Sequence, residues 1–172
     1  SQMVQTGIEP VMVLDAISFS VQQSVGFDNV LMCMWDEEAE ELQRVAHAGI
    51  PLTAFNESKN ITLSRESTHS LFQENYRMSE SFFYPIQEVE SWYTEAMSAV
   101  STAHDGNRSL TPRGKKYWHD GDVLLVPING QGGNLIGLMS LDRPHNNRRP
   151  EQTTIEVLEI FAHQASTMIE NT

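Results

Sequence analysis

The chain has a single cysteine, Cys33, among 172 residues, so no internal disulfide forms, and the sequence contains no Cys/His cluster of the zinc-binding kind. Its six histidines, His47, His69, His104, His119, His145 and His163, show neither an H-E-x-x-H motif nor i, i+4 pairing, and no metal site is expected. Long apolar runs are lacking too. The longest, such as Val30 to Trp35 and Val123 to Ile128, span six residues, against the roughly 20 that cross a bilayer. G-x-S-x-G and S-x-x-K spacings are missing, which removes the common serine-hydrolase arrangements. Basic residues are scarce. Eleven Lys and Arg against 23 Asp and Glu give a net charge of −12, and such a field repels phosphate backbones and anionic headgroups. Neither nucleic acid nor a membrane is therefore an expected partner. With no basic, apolar leader and one cysteine, the expected location is the cytoplasm.

What remains has the composition of an ordinary globular domain: 40% hydrophobic, 20% charged, 10 Gly and 7 Pro. A chain of this size buries roughly 70% of its unfolded surface, and residues 1–172 are read as one domain. Ser1 at the start and an unbroken helical pattern at Ile169-Glu170-Asn171-Thr172 lead to the expectation that it is excised from a longer, multidomain protein.

Along the chain, Val11, Leu14, Ile17, Val21 and Val25 recur at helical spacing before Gly26. Val30 to Trp35 reads as a strand buried on both faces. After five acids in Asp36 to Glu41, Leu42 to Ala48 alternates up to Gly49 and Pro51, completing a hairpin. Residues 51–80 are polar and turn-rich, with a helical stretch over 66–76 capped by Ser64. Ser81 to Tyr84 reads as a strand, residues 88–100 as a helix, and 101–121 as a long loop carrying Arg108, Arg113, Lys115 and Lys116. Asp122 to Ile128 and Leu135 to Leu141 form a hairpin around Asn129 to Asn134. The glycines of that turn lead into a strand, whereas a phosphate cradle leads into a helix. Pro150 opens a last helix. Its Ile155, Leu158, Ala162, Ala165 and Ile169 alternate spacings of three and four as a coiled-coil seam does, while Val157, Phe161 and Met168 form a second stripe read as serving the sheet.

This order of elements resembles the GAF domain family. The resemblance rests chiefly on Asp122 to Ile128, Leu135 to Asp142, Pro144, Arg148-Arg149-Pro150, Ile155, Leu158, Phe161-Ala162, Gln164-Ala165 and Ile169-Glu170-Asn171. Trp35 and Gly49 in the front hairpin are similar as well, and residues 51–120 match in layout. The resemblance implies an α+β fold: a central antiparallel sheet of about six strands, with the terminal helices on one face and pocket helices and loops on the other. It also implies a sensory or regulatory module, and since no catalytic constellation is found in the sequence, the domain is not expected to be an enzyme.

Cys33, mid-strand between Met32 and Met34, reads as a small hydrophobe rather than a nucleophile. One thiol cannot both attack and resolve, which argues against the methionine-sulfoxide reductase activity known in the family. No cysteine lies in 51–120 to hold a bilin. Ser58-Lys59-Asn60 departs from the family's cyclic-nucleotide pattern, and His104 is the one candidate to ligate haem. The cofactor is left unknown. The expected function is non-covalent binding of a small molecule, with relay through the terminal helices to an output domain such as a histidine kinase or cyclic-di-nucleotide enzyme. The alternative is a ligand-free spacer for dimerisation. Phe82, Tyr84, Trp92, Met97, His104 and Trp118 are the expected ligand-binding residues. A parallel homodimer is expected through Val11, Leu14, Ile155, Leu158, Ala162, Ala165 and Ile169.

Overall fold

Residues 9–89, 95–102 and 114–171 are described, in a computed structural model. Helix α1 (Pro10–Val21) has proline in its first turn, where a missing N–H leaves no helical bond unmade. A π-helical turn at Gln22–Gly26 leads to β1 (Phe27–Asp36), which pairs with β2 (Glu41–Ala48). Between them, Asp36 Oδ1 accepts from the N–H groups of Glu38 and Ala39 at 3.0 and 3.1 Å, closing the acidic tip as an Asx turn.

Then come α2 (Leu52–Ser58), β3 (Thr62–Ser64) and α3 (Arg65–His69), followed by a 3-10 turn at Glu74–Tyr76. Ser64 caps α3 as expected, its Oγ accepting from Ser67 N–H at 3.1 Å. The helix stops at His69 rather than running to residue 76. Strands β4 (Arg77–Met78) and β5 (Ser81–Tyr84) form a short hairpin, followed by α4 (Ile86–Val89) and α5 (Glu95–Ala99); the stretch between them, part of the helix read over 88–100, lies outside the described residues. The hairpin β6 (Val123–Asn129) and β7 (Leu135–Pro144) precedes α6 (Gln152–Glu170).

One antiparallel sheet of seven strands, rather than about six, runs in the order β3-β2-β1-β7-β6-β5-β4. Successive strand residues point to opposite faces, and the inner strands are apolar on both. Val30, Met32, Leu124, Val126, Ile128, Met139 and Leu141 join the core under α1 and α6. Leu31, Cys33, Val123, Leu125 and Leu138 join a second core under α2 to α5. Gly137 permits the central pairing, since a Cβ there would sit 2.6 Å from the Cys33 carbonyl oxygen.

The helix layer corrects the stripe assignment. Leu14, Ile155, Leu158, Ala162 and Ala165, expected at a dimer seam, are at most 1% exposed and pack on the chain's own sheet. Ile169 is partly buried against the same core. Of the expected seam, only Val11 is on the surface, 39% exposed. The outer face instead carries Met12 and Phe19 on α1, with Val157, Ile160 and Met168 on α6. Two apolar stripes on one helix are equivalent by spacing alone, and the smaller residues at Ala162 and Ala165 suit close packing on a sheet as well as on a second helix. Among the described residues, no helix is long and apolar enough to cross a membrane.

Candidate functional site

On the face of the sheet opposite α1 and α6, a cleft of about 420 Å³ opens between α3 and the tips of three hairpins, β1–β2, β4–β5 and β6–β7. Its walls come from strand residues that alternation turns to this face: Trp35 at the end of β1, Phe82 on β5, Pro127 and Asn129 on β6, and Leu135 on β7. Phe72 leans on Phe82, ring centroids 5.3 Å apart. Arginines cover two of the rings. Arg65 Cζ lies 4.9 Å from the Trp35 ring centroid and Arg77 Cζ 5.2 Å from that of Phe82. Thr68 and His69 of α3, with Glu37, Glu80 and Asn134 from the turns, complete a mixed rim.

Two parts of the rim are tied to α6 on the far side of the sheet. Glu159, 7% exposed, accepts from Ser79 Oγ at 2.7 Å, Glu80 N–H at 2.8 Å and Ser81 Oγ at 2.7 Å. The β4–β5 turn is thereby anchored to the middle of α6. Near the end of α6, Ser166 Oγ donates to the Asn129 carbonyl at 2.6 Å, and Glu170 Oε1 accepts from Gln131 N–H at 3.1 Å. A Cβ at Gly130 would meet Glu170 Oε2 at 2.6 Å, so the β6–β7 turn lies directly against this carboxylate.

The expected ligand-binding residues are scattered. Phe82 lines the cleft. Tyr84 is fully buried, its hydroxyl donating to the Leu71 carbonyl and accepting from Gln73 N–H at 3.0 Å. Burial pushes its pKa up. Met97, 1% exposed, packs in the same core. Trp118 is 2% exposed and belongs to the core under α1 and α6; its ring centroid is 5.9 Å from that of Phe83, and its indole N–H donates to Asp142 Oδ1 at 3.1 Å. Trp92 and His104 lie outside the described residues. Aromatic density in the sequence thus marked the core, because Tyr84 and Trp118 each find an internal partner for their polar atom. Trp35, Arg65, Arg77 and Glu159 were missed. The available signal was a tryptophan ending an apolar run, and a carboxylate directly after the inward-facing Leu158.

Elsewhere on this face, polar groups hold the packing closed. Arg44 donates to Ser58 Oγ at 3.0 Å and to the carbonyls of Ala99 and Ser101, and burial lowers its pKa. Ser140 Oγ donates to the Val100 carbonyl at 2.7 Å. Asp142 accepts from Thr102 Oγ1 at 2.8 Å as well as from Trp118, and burial raises its pKa. The His119-Asp120-Gly121-Asp122 segment forms the turn its sequence implies, with Asp122 N–H donating to the His119 carbonyl at 3.0 Å. Asp122 then takes a forked pair of bonds from Arg149, at 2.9 and 3.0 Å. Cys33 is 2% exposed, and burial pushes its thiol up to about 12. A thiol so buried and held protonated has little thiolate to offer at neutral pH. Among the described residues, no group of three or more His, Cys, Asp or Glu is placed to hold a metal.

No protein-family model matches the chain, and no curated protein matches it by sequence. Solved structures do match it in three dimensions. Residues 122 to 287 of a methyl-accepting chemotaxis protein superpose with a TM-score of 0.64 at 21% identity, covering 97% of this chain and 92% of that one. A GAF domain/HD domain protein from Geobacter sulfurreducens gives 0.63 at 14% identity, with 94% and 92% covered. The GAF domain of an Acinetobacter phosphoenolpyruvate-protein phosphotransferase gives 0.62 at 11% identity, with 96% and 85% covered. At these identities it is architecture that is shared, and on that ground the chain has the GAF fold.

Proposed function

We propose that this chain is a sensory, non-enzymatic module that binds a small molecule non-covalently in the α3 cleft and passes the change through α6 to an output domain of the same protein. The observation that carries this reading is the double attachment of the cleft rim to α6, through Glu159 at the β4–β5 turn and through Ser166 and Glu170 at the β6–β7 turn. A ligand that shifts either turn must strain or move these bonds, and at the β4–β5 turn the bonds to the buried Glu159 carboxylate are costly to leave unmade. Supporting it further, about 420 Å³ is within the usual range for ligand clefts, and the walls combine apolar rings with a few charged groups. The similar structures come from a chemotaxis protein and from GAF domains of larger proteins. Self-association belongs to the same proposal, on a corrected face: Val11, Met12, Phe19, Val157, Ile160 and Met168 are the large apolar residues that α1 and α6 leave outward.

Thermal-shift screening of the protein against small metabolites tests the reading. Compounds that raise the unfolding midpoint should lose their effect in Trp35→Ala and Arg77→Met and keep it in Tyr84→Phe. A protein that dimerises while no compound shifts it would instead support the ligand-free spacer.

A further inference from the structure

Resting on the reading of the α3 cleft as a ligand site, we infer that its ligand is an aromatic carboxylate, held by Arg65 and Arg77. Each guanidinium already lies over a ring, Arg65 over Trp35 and Arg77 over Phe82. Those ring faces are therefore closed to a ligand cation, which would otherwise be the natural guest of an aromatic pocket. A guanidinium has five N–H donors, and a ring face beneath it does not take them all. Arg65 spends one Nη on Glu40 at 3.3 Å, and Arg77 spends Nε on Glu74 at 2.9 Å and one Nη on the Ser79 carbonyl at 3.3 Å. Both ion pairs are exposed, with side-chain accessibilities of 56% and 68% for the first and 44% and 76% for the second. Pairs of that kind contribute little, so exchanging a glutamate for a ligand carboxylate is cheap, and a planar carboxylate matches the fork.

The body of the ligand follows from the remaining walls. Phe72, Pro127 and Leu135 are only partly buried and present flat apolar surface without charge, which favours a flat ring over a polar or bulky aliphatic body. Two acids also line the cleft. Glu80 Oε2 lies 3.5 Å from His163 Nε2 on α6. Glu37 sits on the exposed β1–β2 tip and opposes an anion. Its removal should therefore tighten binding.

Protein-observed NMR titration of the whole chain with naphthoate, naphthamide and naphthylmethylamine separates the possibilities. The expected result is that naphthoate moves the amide signals of Thr68, Phe82, Asn134 and Leu135, and that naphthamide binds about tenfold more weakly. Arg65→Met and Arg77→Met should each shrink that difference, and Glu37→Gln should strengthen naphthoate. Tightest binding by naphthylmethylamine, or weaker naphthoate binding in Glu37→Gln, would overturn the carboxylate assignment and leave the cleft itself standing as a ligand site. Unmoved cleft signals with all three probes also overturn the assignment. The cleft reading falls with it only if the metabolites of the thermal screen leave those signals unmoved as well.

Discussion

Glu159 Oε2 accepts the backbone N–H of Glu80 at 2.8 Å, joining the middle of the last helix to a two-strand hairpin at the sheet edge. With Ser79 and Ser81 as further donors, a carboxylate that is 7% exposed has three partners. A fully satisfied group of this kind fixes a geometry, whereas removing it strands its donors. Glu159→Ala should therefore cost about 2–4 kcal/mol, with Glu159→Gln intermediate, because an amide oxygen still accepts but its NH2 faces donors. Denaturant unfolding of the three proteins measures this. Equal stability of all three would deny Glu159 its anchoring role.

The two stripes of α6 should behave oppositely. Leu158→Glu places a charge under the sheet where nothing pairs with it, and loss of folding is expected, since such burial costs several kcal/mol. Ile160→Glu, at a position 58% exposed, should leave far-UV dichroism and the unfolding midpoint within the small range typical of surface changes. If the protein self-associates, sedimentation should show Ile160→Glu shifted toward monomer. A folded Leu158→Glu monomer would restore the seam assignment.

Cys33 should be inert and nearly dispensable. With its thiol at about 12, labelling by a disulfide reagent at pH 8 should wait for unfolding. Cys33→Ala should cost about 1–1.5 kcal/mol for the lost sulfur contacts. Rapid labelling of the native protein would show that the strand opens.

Asp142 makes stability depend on acidity. Burial raises its pKa in the folded state, so between the ordinary aspartate value and that raised value the folded chain binds the extra proton. Stability from this group is then fully present at low pH and is lost as pH rises through the folded value. The stability difference between wild type and Asp142→Asn should move in favour of wild type as pH is lowered toward the ordinary aspartate range. A difference that is flat with pH, or that moves the other way, would mean that the bonds from Thr102 and Trp118 outweigh desolvation.

Much of the architecture was legible in the sequence. Val30 to Cys33, Val123 to Val126 and Ile128 are buried on both faces, while Met34, Trp35 and Pro127 of the same runs are only partly buried, and both hairpins and the last helix stand where their patterns place them. Periodicity, however, identifies faces without saying which surface covers each one. Ile155 with Leu158 and Val157 with Met168 were equally good candidates for the sheet, and the choice depended on the position of α1, which lies across the fold. The site was harder still. Arg65 and Arg77 come from a short helix and a two-residue strand, elements too brief for any periodic signal; Arg77 meets Phe82 as its direct partner across the β4–β5 hairpin, and Arg65 follows β3, which β2 separates from β1 and Trp35. Tyr84 and Trp118 drew attention as aromatics, yet their hydroxyl and indole N–H are satisfied inside the core.

The relay from cleft to α6 is tested most directly without any ligand, by filling the cleft covalently. Asn134→Cys labelled with bimane places an aromatic group in the cleft, and the buried Cys33 should not compete for the reagent. Hydrogen exchange is then compared with that of Glu57→Cys carrying the same label on α2, at an exposed position outside the cleft. The account predicts that filling the cleft changes exchange at residues 156–170 and that the Glu57 label does not. Exchange along α6 that is the same for both labelled proteins would contradict it.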